Sequence, residues 1–392
     1  MRQIRLALAL TIALLLVPAA LSAQGFGKNK VRSRTLEWSV LTTEHFDIHF
    51  YDREKDAALK AAEMAETAYA RLAAVLHHEI PKRVPLILYA SHSDFQETNA
   101  LPGLIDVGTG GVTEFLRRRV VIPFTGSFND FDHVLEHELV HAFQIDILFG
   151  GDGRERLNPL TFRMPLWLME GMAEHLSIGG EDAQTRMWIS DACHSGDLPS
   201  LERMWWAADI RAYRYGQSAW RSITAARGDS ICGDVLRAVV RYKDVAQGLE
   251  SALGTTIEDL SEEWTDGLRC EYLPLVAERE EARRSGKLLA GGRSRERLAL
   301  SPAISPDGER FAYFSDRDLT MSLYVGDVVT GETRRLLEGE TTGGLEELRT
   351  FHSSLAWSPD GRLLAFTAKG TGGEALLLVD AESGDVTRWA TP

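Results

Sequence analysis

Cysteine is scarce in this chain of 392 residues, with only Cys193, Cys232 and Cys270. None stands at metal-ligand spacing from another, which excludes a cysteine-based zinc cluster. In an exported chain an odd set leaves room for one disulfide and one free thiol, and the sequence does not select the pair. Basic charge is in deficit as well. Forty-three Lys and Arg stand against 57 Asp and Glu, a net charge of −14. That surplus repels nucleic acid and anionic membrane surfaces, so no nucleic-acid partner is expected. Beyond residue 23 no stretch is apolar enough to cross a bilayer.

What is present begins with an export signature. Residues 1–23 carry a basic start (Arg2, Arg5), an apolar run from Ile4 to Val17, and Leu21-Ser22-Ala23 ahead of Gln24. Small residues at that spacing are what signal peptidase requires, so a cleaved signal is expected. An uncleaved anchor is the competing reading, because the run nearly spans a bilayer; Pro18 and the Ser-Ala pair favour cleavage. No cysteine follows the cleavage point, which argues against a lipoprotein. The mature protein is expected in the periplasm, at the cell envelope or outside the cell, without an integral membrane span.

The densest chemistry lies in Phe131 to Ile145, FDHVLEHELVHAFQI. On a helix His137 and His141 project from one face, about 6 Å apart along the axis, and converge on one metal ion. Glu138 leans towards the edge of that face. In such an HExxH arrangement two neutral imidazoles hold Zn²⁺ and the glutamate serves as general base. Phe131, Val134, Leu135, Leu139, Val140, Phe143 and Ile145 make the surroundings apolar enough to exclude bulk water. A catalytic zinc takes three protein ligands and keeps a fourth position open. Trp167-Leu168-Met169-Glu170-Gly171-Met172-Ala173-Glu174-His175 offers the missing carboxylate in Glu170, from a second apolar helix. Glu174, one turn further on, is placed to accept the distal N–H of a ligand histidine, His137 first. His133, a turn before His137, is weighed as a fourth donor and read instead as a partly buried neighbour of the site or a solvent-facing residue.

Around these motifs the periodicity changes repeatedly. His45 to Phe50 alternates as a half-buried strand, and 52–77 has helical spacing with Asp52 as its cap. Val84 to Ala90 reads as a buried strand, and Arg117 to Pro123 as a short one that Pro123 ends or places at an edge. Gly108-Thr109-Gly110-Gly111 is a turn between them, and Asp130 or Asp132 supplies an N-terminal carboxylate for the motif helix. Helices are expected over 201–206, 211–227, 233–242, 245–253 and 257–271.

HELVH followed by WLMEGMAEH resembles the gluzincin branch of zinc metallopeptidases, in particular bacterial peptidase-MA-like domains that precede a TolB-like propeller. The likeness covers most of residues 36–275. It implies one zinc on His137, His141 and Glu170, with Glu138 as general base. It further implies that the strand before the metal helix is a sheet edge that aligns an extended peptide by main-chain pairing. That points to Val120 and Val121, with Gly111 as a further substrate contact. A tyrosine is expected to hydrogen-bond the oxyanion of the tetrahedral intermediate. Tyr215 is the first choice and Tyr213 the second, with helix packing as the other use of either. Twenty-eight residues separate His141 from Glu170, more than in the best-known aminopeptidase members, so the loop at Gly150-Gly151-Asp152-Gly153 looks like an insertion.

Residues 276–296, charged and then rich in glycine, read as a linker. A different grammar follows over 297–392. Ser305-Pro306-Asp307-Gly308 recurs as Ser358-Pro359-Asp360-Gly361, Asp327 as Asp380 and Gly331 as Gly384, each 53 residues on. A fixed period with several short strands per unit marks a repeat architecture, and these units resemble two blades of a TolB-like propeller. Propellers close with about four to eight blades, so the natural chain is expected to continue beyond residue 392, or the sequence to be partial. Completion by a partner chain is the weaker reading.

The expected fold is therefore α+β: residues 24–35 a flexible leader, 36–275 a mostly helical zincin-like domain with a small sheet, then a linker and a partial all-β propeller. The expected function is an exported zinc-dependent peptidase acting on peptide or protein substrates, with a protein partner met through the propeller. The alternative is a zinc- and peptide-binding module without turnover on a propeller scaffold. A structural metal site in an envelope-contact protein is a third reading, which a fourth protein ligand would favour. No acidic cluster stands out as a reader of a free N-terminus, which leans towards an endopeptidase.

Overall fold

A computed structural model describes residues 35–390 except 52–53, 100–104, 106–107, 116, 125, 151–156, 159–160, 279, 281, 292–297, 340–344, 351–353 and 371–372. The expected signal and nearly all of the leader, the Asp52 cap, the Gly151-Asp152-Gly153 part of the inserted loop and Gly292 of the linker lie outside the described residues.

The first sheet holds β1 (Trp38–Thr42), β2 (Phe46–Tyr51), β3 (Val84–Tyr89), β4 (Val112–Glu114) and β5 (Arg119–Pro123), in the order β1-β2-β3-β5-β4. β2, β3 and β5 run parallel, flanked by antiparallel β1 and β4. Strand alternation sends Phe46, Ile48, Leu86, Leu88, Val120 and Ile122 to one face, where helices cover them. Tyr51, Tyr89 and Val121 face the other way and pack with Phe95. Parallel neighbours need a crossover, and α1 (Lys55–Leu76) supplies the one from β2 to β3. Its Ala58, Ala61, Ala65 and Leu72 recur at helical spacing and are buried. A second, short helix, α2 (His92–Gln96), follows β3.

The expectation that the strand before the metal helix forms the sheet edge is corrected here. Val120 and Val121 lie in β5, where Val121 faces Ile87 of β3 on one side and Val112 of β4 on the other. Both side chains are buried. The arginine run turns the chain instead, with Arg118 at φ 49, and lays β4 outside β5. The edge is therefore β4.

Among the described residues nine further helices follow: α3 (Phe128–Phe149), α4 (Leu166–Ile178), α5 (Ala183–Ser195), α6 (Leu201–Met204), α7 (Ile210–Arg227), α8 (Ile231–Tyr242), α9 (Val245–Leu253), α10 (Ile257–Ala277) and the one-turn α11 (Ala282–Ser285). Ser127 caps α3 by accepting the Asp130 N–H, with Asp130 itself in the first turn. Gly254 in the left-handed region ends α9, and Thr256 accepts from Asp259 N at the start of α10. Trp167, Trp220 and Trp264 are fully buried between these helices. Trp220 donates to the Leu168 carbonyl at 2.9 Å, and Trp264 to Ser218 Oγ at 3.1 Å. Cys193 and Cys232 are buried, Cys270 is exposed, and all three are free thiols.

The tightest approach joins α4 to α7. A Cβ built on Gly171 would lie 2.2 Å from the Gly216 carbonyl carbon, and one on Gly216 would lie 2.4 Å from the Trp167 carbonyl oxygen. No side chain fits between these backbones.

The C-terminal residues form two antiparallel sheets. β6 (Ala299–Ile304), β7 (Arg310–Ser315), β8 (Ser322–Asp327) and β9 (Thr333–Glu338) make one in sequential order. The other holds β10 (Leu345–Leu348), β11 (Ala356–Trp357), β12 (Leu363–Gly370), β13 (Gly373–Asp380) and β14 (Val386–Ala390), in the order β10-β12-β13-β14 with β11 also on β12. They share a core that includes Phe314, Leu323, Leu364, Phe366 and Val379. The 53-residue repeat is carried by side chains at the turns. Ser305 and Ser358 each meet an aspartate two residues on, and each accepts a backbone N–H five residues on. Asp327 and Asp380 each take two backbone N–H groups of a turn that Gly331 or Gly384 closes at positive φ. The described residues thus combine helices with three open sheets and contain no barrel, and no helix among them is long and apolar enough to cross a membrane.

Substituting Gly216 by Ala should force α4 and α7 apart and cost about 3 kcal/mol, the upper range for overpacking. Urea denaturation monitored by tryptophan fluorescence measures this, and an unchanged midpoint would contradict the backbone contact.

Candidate functional site

Leu135, Leu139, Val140 and Phe143 seat α3 in the main core and leave its histidine face turned towards α4. His137 Nε2 lies 3.2 Å from His141 Nε2, and Glu170 Oε2 lies 3.3 Å from the first and 3.0 Å from the second. The structure thus brings His137, His141 and Glu170 together.

The other ring nitrogens set the tautomers. Gln144 donates its amide N–H to the Met169 carbonyl at 3.0 Å, which turns Gln144 Oε1 towards His141 Nδ1 at 2.7 Å. His141 Nδ1 therefore carries the proton, and its Nε2 offers a lone pair to the group. His137 Nδ1 lies 3.4 Å from Glu174 Oε1, a long contact of the same sense. Arg214, on α7, holds Glu174 Oε2 at 3.2 Å and Asp182 Oδ2 at 3.3 Å. His133 Nε2 points at Glu174 Oε2, 3.5 Å away. It stands on the Glu174 side of His137 and outside the group formed with Glu170.

The electrostatics favour a cation at this point. Burial alone disfavours the imidazolium, but the carboxylates of Glu170, Glu174 and Glu138 outweigh it and push His137 up to about 10. His141 is raised in the same sense against its own burial, chiefly by Glu170. Burial would raise Glu170 and Glu174, yet Glu170 is held well below the ordinary carboxylate range by His141 and His137, and Glu174 by His133, His137 and Arg214. A tetrahedral zinc with bonds of about 2.0–2.1 Å separates its donor atoms by about 3.3–3.4 Å. The three observed separations lie close to that value, and the donor set of two imidazoles and one carboxylate suits the ion. These residues fit zinc.

Glu138 is buried beside the rings. Thr113 of β4 donates its hydroxyl towards both Glu138 Oε2 and the Glu138 carbonyl, each at 2.7 Å. Gly111 is drawn against the same residue: a Cβ there would lie 2.9 Å from Glu138 Cγ and 2.7 Å from Ile122 Cγ2. Glycine lets the edge strand pass close over the carboxylate.

The tyrosine assignment is corrected. Tyr215 is buried and packs edge-on against Trp188, ring centroids 6.4 Å apart. Tyr213 lies over His137 instead, centroids 6.0 Å apart and planes at 12°, on the side of the Glu170 and Glu138 carboxylates. Burial and the nearby Glu170 and Glu138 carboxylates push its phenol well above the ordinary value, so it stays a donor. Residues two apart on a helix point about 200° apart, so one tyrosine at most could face the site.

Sequence reasoning missed Thr113, Gln144 and Arg214. Gln144 follows His141 by three positions, a helical spacing that could have suggested it. Nothing local points to Thr113 or Arg214, which arrive from other elements.

Comparison with protein-family models finds no match, and comparison with curated proteins finds none. Among solved structures the chain is similar to TolB from Acinetobacter baumannii (27% identity, TM-score 0.20, covering 23% of this chain and 21% of that one). It is similar to a putative TolB from Agrobacterium tumefaciens (30%, 0.19, 23% and 29%). It is also similar to an M1 zinc metallopeptidase from Deinococcus radiodurans (19%, 0.32, 60% and 52%). The chain therefore spans between about a fifth and about half of the length of these structures.

Zinc must displace the proton that the carboxylates favour on His137, so apparent zinc affinity should fall as pH falls, with about one proton released per zinc at neutral pH. Calorimetric titration in buffers of different ionisation enthalpy measures that release. Zinc uptake without proton release, or undiminished uptake by Glu170→Gln, would contradict the ligand set.

Proposed function

We propose that the chain is an exported zinc-dependent peptidase in which residues 36–275 carry the site, 276–296 link, and the two C-terminal sheets are propeller blades. The reading rests on one observation above the others: three donor atoms within 3.3 Å of one another, with the buried Glu138 held beside them by Thr113. Bound on His137, His141 and Glu170, Zn²⁺ would supply Lewis acidity, bringing the pKa of a water towards about 7 and polarising a carbonyl. Glu138 takes a proton from the attacking water and returns it to the leaving amine. Thr113, donating to one carboxylate oxygen, leaves the other free for that transfer. Tyr213 donates its hydroxyl to the developing oxyanion. β4, as the sheet edge next to Glu138, aligns an extended peptide by main-chain pairing.

A structural metal site would call for a fourth protein ligand, and the candidate His133 faces Glu174 at 3.5 Å, outside the group formed with Glu170. A zinc- and peptide-binding module without turnover differs from the enzyme in its kinetics alone. Export, through the apolar run at residues 1–23, belongs to the same proposal, as does contact with a protein partner through the blades.

Glu138→Gln should retain zinc and lower hydrolysis of a quenched-fluorescent peptide library by about 10²–10⁴-fold. Tyr213→Phe should lower kcat by about 10²–10³-fold with KM little changed, whereas Tyr215→Phe should cost less than about tenfold. Full activity in Glu138→Gln, or activity indifferent to a chelator, would sink the peptidase reading. A zinc-loaded wild type without turnover would favour the binding module.

A further inference from the structure

We infer that the C-terminal strands grip the edge strand of the site through α2, with Arg349 and His92 as positioning residues. This deepens the peptidase reading and rests on it for its kinetic consequence, but its structural content stands on separate residues.

Arg349 follows β10 and is 8% exposed. It makes a two-pronged ion pair with Glu374 of β13, Nη2 to Oε1 at 2.5 Å and Nε to Oε2 at 3.1 Å, and a third contact with Glu347 Oε2 at 2.8 Å. Its remaining reach is into α2. Nη1 lies 3.4 Å from His92 Nδ1 and Nη2 lies 3.4 Å from Ser93 Oγ, while Ser93 donates to Glu374 Oε1 at 2.7 Å. One turn on, Gln96 donates to Glu347 Oε2 at 2.6 Å and accepts from Lys369 Nζ at 3.1 Å. Successive residues of one short helix are thus clamped by charged groups from β10, β12 and β13.

Two of these α2 side chains, His92 and Gln96, also bind backbone carbonyls that precede β4 in the chain. A guanidinium only donates, so His92 Nδ1 must accept; the ring therefore carries its proton on Nε2, which donates to the Thr109 carbonyl at 3.0 Å. Burial and the neighbouring Arg349 charge keep this imidazole neutral, against the opposing pull of Glu347 and Glu374. Gln96 donates to the Ile105 carbonyl at 3.1 Å. After Thr109 come Gly110, which packs on Val134 of α3, and then Gly111 and Thr113 against Glu138. The strut from His92 to Thr109 therefore carries the position of the C-terminal strands to the strand that seats Glu138, and Gln96 holds the Ile105 carbonyl besides.

Buried ion pairs add little net stability but are satisfied in one geometry. Here that geometry fixes where β4 begins. A β4 released at its start would pair substrate main chain less well, which raises KM more than it lowers kcat.

The test uses the full chain loaded with zinc. Hydrogen exchange of amides 109–114 and the kinetics of the quenched-fluorescent peptide library are measured for wild type, Arg349→Ala, Arg349→Lys and His92→Leu. Arg335→Ala, at an exposed pair on the neighbouring sheet, serves as control. Arg349→Ala and His92→Leu are expected to speed exchange at 109–114 by about tenfold and to raise KM by about tenfold, with zinc content unchanged. Arg349→Lys should recover part of both, and Arg335→Ala should resemble wild type. His92→Leu leaves the Arg349, Glu347 and Glu374 cluster in place, so it decides the matter if Arg349→Ala does not fold. Unchanged exchange in a folded His92→Leu overturns the grip while leaving the peptidase reading intact. Faster exchange in a protein without peptidase activity upholds the grip and removes only its kinetic consequence.

Discussion

Two imidazole lone pairs and a carboxylate oxygen gathered within 3.3 Å repel one another unless positive charge lies among them. The surrounding structure is arranged to keep them gathered. Gln144 and Glu174 take the outward ring nitrogens, Arg214 and His133 fix Glu174, and Thr113 holds the adjacent Glu138. Each of these partners removes a rotation that would let the group spread. The buried charge makes the arrangement costly without a cation, and a bound metal would take the place of the proton that the carboxylates favour on His137.

The gathering in turn depends on a close crossing of helices. Glu170 reaches α3 because α4 is pinned by α7, and α7 comes close enough because Gly171 and Gly216 meet backbone to backbone. The same crossing sets Tyr213 over His137 and Arg214 against Glu174. Glu170, the Arg214 anchor of Glu174, and Tyr213 are therefore positioned by one contact between two residues without side chains. It costs helix propensity at both glycines, roughly 1 kcal/mol each.

How much of this was legible in the sequence follows from how local each feature is. His137 and His141 share a face by helical period alone, and the WLMEG run announces a buried helix that carries one carboxylate. Strands with clear alternation, such as β2 and β3, and the 53-residue repeat were readable because the pattern lies along the chain. The choice between Tyr213 and Tyr215 was not, because a rotation of about 200° separates them and only the α4 to α7 crossing decides which faces inward. The edge strand was misread for a similar reason. β4 is three residues long, too short to alternate visibly, and whether β5 or β4 ends the sheet is settled by pairing with β3. The disulfide left open by the cysteine count has no counterpart either, since Cys193 and Cys232 lie buried on separate helices, Cys270 is exposed, and all three are free thiols.

The contact between α2 and the C-terminal strands shows why charge, rather than apolar area, suits this place. Apolar burial is indifferent to direction, so a greasy contact tolerates sliding. A guanidinium paired with Glu374 and Glu347 while facing His92 and Ser93 does not, because a small shift leaves donors of the buried Arg349 unpaired. The tautomer of His92 is a consequence of that rigidity: a donor on one side and a carbonyl on the other admit one proton position. What reaches the loop before β4 is thus a definite height and angle, and the main-chain pairing proposed for that edge, which needs hydrogen-bond distance, would be sensitive to both.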